Sequence, residues 1–201
     1  ISLPGTARLG LGAAAGNGRF VFTTGGFGSQ GFLSGTIGPG QEIIVRAQGT
    51  AGAGDRQVDF ASNVVNNGLI SLQSAPGSNR FTEINIPSGT LTNNSLIELT
   101  DDGVADATAR RLIRGSITNR GQITIDDHSQ LTGTLNVITN ESSIDIAAAA
   151  GVTLGNGTQF HQNAGTLNAL GALWVQSGLN QANDMFNYNG GTVNGTVYIT
   201  G

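Results

Sequence analysis

Apolar and polar residues alternate in short bursts along this chain, and each burst follows a turn rich in Gly or Asn. The copies read AAGNGRFVF (14–22), IGPGQEIIV (37–45), VVNNGLISL (64–72), LTNNSLIEL (91–99) and ITNRGQITI (117–125). They continue as ITNESSIDI (138–146), LNALGALWV (167–175) and a shortened VNGTVYI (193–199). Within ITNRGQITI, Ile123 and Ile125 face one side and Thr124 the other, because strand side chains alternate. The same alternation makes Ile70/Leu72, Ile97/Leu99, Ile144/Ile146 and Leu173/Val175 inward pairs. Anchored on Phe20, Ile43, Ile70, Ile97, Ile123, Ile144, Leu173 and Val197, the copies recur at intervals averaging roughly 25 residues. This predicts an all-β solenoid of about eight coils, each a three-sided turn of parallel strands stacked on the last.

Two turn elements sharpen the pattern. Asn66, Asn93, Asn119 and Asn140 hold the same place in four consecutive copies. Asn tolerates left-handed backbone, and identical amides one rung apart can hydrogen-bond up the stack, so these four are expected to form an asparagine ladder. The copies at 37–45 and 167–175 carry Pro39 and Ala169 instead, which confines the ladder to the middle of the chain. A Gly-(Thr/Ser)-apolar element recurs at Gly35, Gly89, Gly115, Gly133, Gly165 and Gly191, where Gly permits a corner. Residues 1–36 are Gly-rich and read as a first coil or N-terminal cap, and 37–201 as regular rungs of one domain. Helix signals are weak: Val104–Leu112 suggests one or two turns, and Ala147–Ala150 is too short to propagate.

Composition adds little chemistry. The 13 acids outweigh nine basic residues, all Arg, for a net charge of −4, which excludes phosphate-driven nucleic-acid binding. With no cysteine, stability falls to the stacked core. No apolar run approaches the ~20 residues of a membrane span, and the chain starts at Ile1 without a signal-peptide pattern, as a mature or excised segment would.

Segments such as GTLTNNSLIEL (89–99) and GSITNRGQITI (115–125) resemble the rungs of filamentous-haemagglutinin and autotransporter passenger proteins of bacterial surfaces. The resemblance covers roughly residues 35–201 and implies a right-handed parallel β-helix, secreted or displayed on the cell surface. It implies a non-catalytic adhesin segment or fibre subunit, and no cofactor or catalytic residue. Pectin-lyase-like enzymes share the coil, so the alternative is a carbohydrate-binding or polysaccharide-degrading protein.

The outward positions of the copies read Val21, Ile44, Ser71, Glu98, Thr124, Asp145, Trp174 and Tyr198. Glu98 and Asp145, two rungs apart, would stand ~9.6 Å apart, near the upper separation of inverting glycosidase carboxylates. Outward charges also serve solubility and edge protection, which is the simpler explanation. Trp174 beside Tyr198 suits a flat glycan or host-matrix contact. Asp101, Asp102, Asp126 and Asp127 fall on neighbouring rungs and form a weak Ca²⁺ candidate without the Gly-Gly-x-Gly-x-Asp repeat. His128 and His161 share no metal-ligand spacing. The last strand, 196–200, carries no cap, so the expected partners are the rest of a longer chain or a second copy stacked end to end.

Overall fold

The computed structural model describes residues 1–12, 16–23, 30–47, 55–74, 80–100, 111–133, 135–176 and 184–200. Their regular structure is entirely β-strand, and every strand pairing is parallel. The strands stack in three columns of pairing, which are the faces of a β-solenoid.

The first face takes Ser2–Pro4, Gly18–Thr23, Gln41–Ala47, Leu69–Ser74, Leu96–Leu99, Gln122–Ile125 and Ser143–Ile146, then the first parts of Thr166–Gln176 and Thr192–Thr200. The second runs from Arg8–Leu11 through Arg56–Phe60, Ser129–Thr132 and Gly151–Gly155 to the final residues of Thr192–Thr200. The third contains Val64–Asn66, Val137–Asn140, Gln159–Gln162 and Met185–Tyr188, with the ends of Gln30–Ile37, Thr82–Asn93 and Arg111–Asn119. These longer strands bend from the second face to the third at Gly35, Gly89 and Gly115, whose φ values of 98°, 91° and 138° a side chain would resist.

Third-face strands occur only between Thr36 and Tyr188 among the described residues, so about six turns of roughly 24 residues are complete. The larger count expected from the sequence includes end coils that pair on the first and second faces alone. Of the stretch 104–112, residues 104–110 lie outside the described set, and Arg111 and Leu112 are strand. Ala147–Ala150 is a tight turn closed by Ala150 N–H donating to Ala147 O at 2.9 Å.

The interior is built from inward Ile, Leu, Val and Phe columns. One first-face column runs Phe20, Ile43, Ile70, Ile97, Ile123, Ile144, Leu167 and Val193. Its middle members are wholly buried, and each such side chain contributes about 1.5–3 kcal/mol of hydrophobic transfer. Leu173 and Val197, assigned to this column from the sequence, instead continue Val152 on the second face. The reason is a change of phase in the Gly-Thr element. Gly89 and Gly115 stand at the corner before the ladder position, whereas Gly165 and Gly191 stand at the corner after it. The same three residue types therefore mark two different corners, and anchoring on the copy at 167–175 slips by part of a coil.

The second-face inward column also holds buried polar groups, since Arg56, Thr82, Arg111 and Ser129 precede Val152 in it. Both arginines are completely buried. Arg111 Nη2 lies 3.4 Å from Asp127 Oδ2, and its Nε donates to Thr100 O at 3.0 Å.

Candidate functional site

The best-defined polar arrangement is internal. Asn66, Asn93, Asn119 and Asn140 stack in register on the third face, and all four are fully buried. Each Nδ2 donates to the Oδ1 one coil later at 2.8 Å, from Asn66 to Asn93, Asn93 to Asn119 and Asn119 to Asn140. The same nitrogens donate to backbone carbonyls of later coils, those of Leu96, Gln122, Ser143 and Thr166. The acceptor oxygens also receive the backbone N–H two residues on at Gly68, Ser95 and Ser142, which fixes the amide orientation independently of the stack.

Two expectations change here. The ladder asparagines do not adopt left-handed backbone: among the described residues only Leu135 and Asn156 do so without being glycine. Side-chain bonding alone accounts for them. The column also ends differently, because the register puts Ile37 before Asn66, and Gln162 then Tyr188 after Asn140, in place of Pro39 and Ala169. Asn140 donates to Gln162 Oε1 at 2.9 Å, and Gln162 Nε2 closes the run on Ala164 O at 2.6 Å. A buried amide tolerates no missing partner, so each link carries about 1 kcal/mol directly and about 1–3 kcal/mol if broken on one side.

The outward first-face column reads Val21, Ile44, Ser71, Glu98, Thr124, Asp145, Asn168 and Asn194. Trp174 does not follow Asp145, contrary to the expectation from the sequence. The column is also not uniformly displayed, since Ile44 and Ser71 are buried. Glu98 and Asp145 do stand two rungs apart, with Thr124 between them. Desolvation, then the nearby charges of Asp126 and Glu42, push the Glu98 carboxyl above its ordinary range. Desolvation would raise Asp145 too, but hydrogen bonds from Asn168, Gln122 and Ser143 outweigh it and hold that carboxyl low. Those donors sit at 2.5, 3.0 and 2.8 Å, one on Oδ1 and two on Oδ2. Asn194 extends the run by donating to Asn168 Oδ1 at 2.8 Å. This is a second, outer amide ladder ending on a carboxylate with three of its about four acceptor sites engaged.

Trp174 and Tyr198 are neighbours on the second face, after Gln130 and Thr153. Their rings stack with centroids 6.1 Å apart and planes within 18°. The indole lies over Gly151, where a Cβ would come within 2.2 Å of Trp174 Cζ3, and His128 borders the same spot. The glycine thus leaves the room that the indole occupies. No family model matches this chain, and neither curated proteins nor solved structures give a significant match.

Of the cation candidates, Asp101 and Asp102 lie outside the described residues. Asp126 is exposed, whereas Asp127 is turned inward beside Arg111 and accepts His128 N–H at 2.7 Å. A carboxylate already facing a guanidinium has less to offer a second cation. Among the described residues, no three His, Asp or Glu side chains converge on a metal-sized site.

A concave feature lies among the described residues of the last coil. A cavity of about 470 Å³ opens there, lined by Phe186, Tyr188, Val193, Gly195, Val197 and Ile199. Inward residues of the last coil cover one side only: Phe186 stacks on buried Phe160 with centroids 5.4 Å apart, and Ile199 is 69% exposed. The strand Thr192–Thr200 leaves its far edge unpaired along both the first and second faces among the described residues. No helix is long and apolar enough to cross a membrane.

Proposed function

We propose that this chain is a non-catalytic extracellular structural solenoid, an adhesin segment or a fibre or matrix subunit of the filamentous-haemagglutinin type. The observation that carries this reading is the continuous stack of parallel coils, with inward apolar columns and a buried amide ladder running along it. Each coil contacts only its neighbours, so such a solenoid forms a rod whose length grows with the number of coils. The ordered polar groups favour architecture over turnover. The asparagine ladder is internal, and the Asp145 carboxylate is held by three neighbouring donors. Light scattering and electron microscopy across a concentration series test the reading. Particles that lengthen with concentration support it, and a monomer at every concentration removes it.

A second reading is glycan binding on the Trp174–Tyr198 strip, favoured by the stacked rings resting on Gly151. Substituting Trp174→Ala should then abolish retention on a polysaccharide or host-matrix column while the far-UV spectrum stays unchanged. Equal retention of both proteins would end that reading. A polysaccharide-degrading activity would depend instead on the first-face carboxylates, and Glu98→Gln or Asp145→Asn should then abolish cleavage on a glycan panel.

A further inference from the structure

Stacked coils ordinarily bond only to the coils on either side of them. The asparagine ladder obeys that rule, since its links join residues 27, 26 and 21 positions apart, one coil each time. Arg56 does not. Its Nη1 donates to Gly5 O at 2.7 Å and its Nη2 to Leu3 O at 3.4 Å, across 51 and 53 positions. Pairing places Ser2–Pro4 and Arg8–Leu11 in one coil, Gly18–Thr23 and Gln30–Ile37 in the next, and Gln41–Ala47 and Arg56–Phe60 in the third. The guanidinium therefore reaches past the middle coil to carbonyls of the coil beyond.

The middle coil leaves room for it to pass. Gly31 pairs with buried Val58, two residues on from Arg56, and so holds an inward position. A Cβ at Gly31 would fall 2.6 Å from Phe22 Cδ1 and 2.9 Å from Arg56 Nη2, so a side chain there would close the path. Phe22 lines the other side, its ring centre 5.5 Å from the guanidinium carbon. Arg56 and Phe22 are both fully buried. One side chain thus touches three consecutive coils from inside.

A buried guanidinium is tolerated only while its donors are bonded. Undocking the first coil removes both carbonyls and leaves the cation enclosed by the second. The first coil therefore cannot leave by breaking its own contacts alone. We propose that Arg56 is an internal bolt that makes these three coils open and close as one unit. Contacts between neighbours alone would let them open one at a time.

The test is native-state hydrogen exchange on the 201-residue chain. Docking of the first coil is reported by Val21 N–H, bonded to Ile1 O, and Phe32 N–H, bonded to Ala7 O, both at 2.8 Å. Ala61 N–H, bonded to Leu33 O at 2.9 Å, reports the third coil on the second. Arg56→Met keeps apolar bulk in the bore and removes the donors. It should lower protection of Val21 and Phe32 at least about tenfold, the scale of a hydrogen bond to a charged group. Asn94 and Arg120, bonded to Asn66 O and Asn93 O in later coils, should be unchanged. Global melting is a separate quantity, because desolvation of the guanidinium opposes its bonds. Val58→Ala weakens the third coil without touching the first. In the parent it should lower Val21, Phe32 and Ala61 together, and in the Arg56→Met background Ala61 alone. Unchanged protection of Val21 and Phe32 in Arg56→Met, or an effect of Val58→Ala confined to Ala61 in the parent, would overturn the bolt.

Discussion

Asn140 donates its side-chain amide to Gln162 Oε1 at 2.9 Å, so an asparagine ladder finishes on glutamine. The longer side chain reaches back to Ala164 O and leaves the last amide nitrogen bonded. This junction makes the ladder's members unequal. Asn119→Ala strips a partner from both Asn93 and Asn140 and should cost about 2–4 kcal/mol. Gln162→Ala breaks a single link and should cost about 1–2 kcal/mol. Urea unfolding of the two variants checks the order; equal losses would mean that the stack contributes no more than its separate parts.

The two buried arginines should respond oppositely to removal. Arg56 bonds carbonyls with no carboxylate beside it among the described residues, and desolvation lowers its pKa to about 10. Arg56→Met should be neutral or mildly stabilising in monomer unfolding. Arg111→Met leaves Asp127 buried beside an apolar side chain and should cost about 3–5 kcal/mol. Thermal melts at neutral pH separate the cases, and a large loss for Arg56→Met would assign its carbonyl bonds a dominant role.

Glu98 and Asp145 should leave opposite marks on a stability–pH curve. Glu98 is raised in the fold, so its charged form costs stability above that value, and the cost vanishes as pH falls below 4.5. Glu98→Gln should therefore stabilise at pH 7 by no more than about 0.5 kcal/mol, given solvent screening, and converge with the parent in acid. Asp145 is lowered, so its contribution is present above its ordinary 3.8 and is lost as pH falls through the depressed folded value. Asp145→Asn should cost about 1 kcal/mol at pH 7. Parallel curves for variants and parent would show that neither charge is coupled to folding.

Corner glycines should differ by what surrounds them. At Gly165 φ is 66°, and a Cβ would fall 1.9 Å from Ser142 O, so Gly165→Ala should cost more than about 2 kcal/mol. Gly5 has φ 64° with open space around it, so Gly5→Ala should cost about 1 kcal/mol for the backbone alone. Similar losses in urea melts would mean that contact with Ser142 is relieved by movement.

The single tryptophan reports on the end of the rod. Trp174 lies one rung from Thr192–Thr200, and in stacked repeats the outer coils open more readily than the middle ones. Its fluorescence should change at lower temperature than far-UV ellipticity. Coincident melts would show that the terminal rungs are as firmly held as the middle.

Inward pairs, corner glycines and the first four ladder positions were legible because each depends on a local period of two or on a residue type with one physical use. Gln162 was not, since nothing nearby distinguishes a ladder glutamine from a solvated one. Trp174 was misplaced for a related reason: Gly165-Thr166-Leu167 repeats the letters of Gly89-Thr90-Leu91 at another corner, and only pairing with Ser143 and Ile144 reveals the shift. Arg56 and Arg111 were hidden because a charged residue in a strand reads as outward, and the partners that permit their burial come from distant coils.

Successive ladder residues are separated by 27, 26, 21 and 22 positions, yet the bonds between them span only 2.8 to 2.9 Å. Differences of up to six residues per coil are absorbed elsewhere, and none reaches the amide stack. The chain thus divides its labour between a few fixed letters that mark each coil and long stretches free to change. New peptide grafted between the marks would be carried sideways on a scaffold that still counts its own turns.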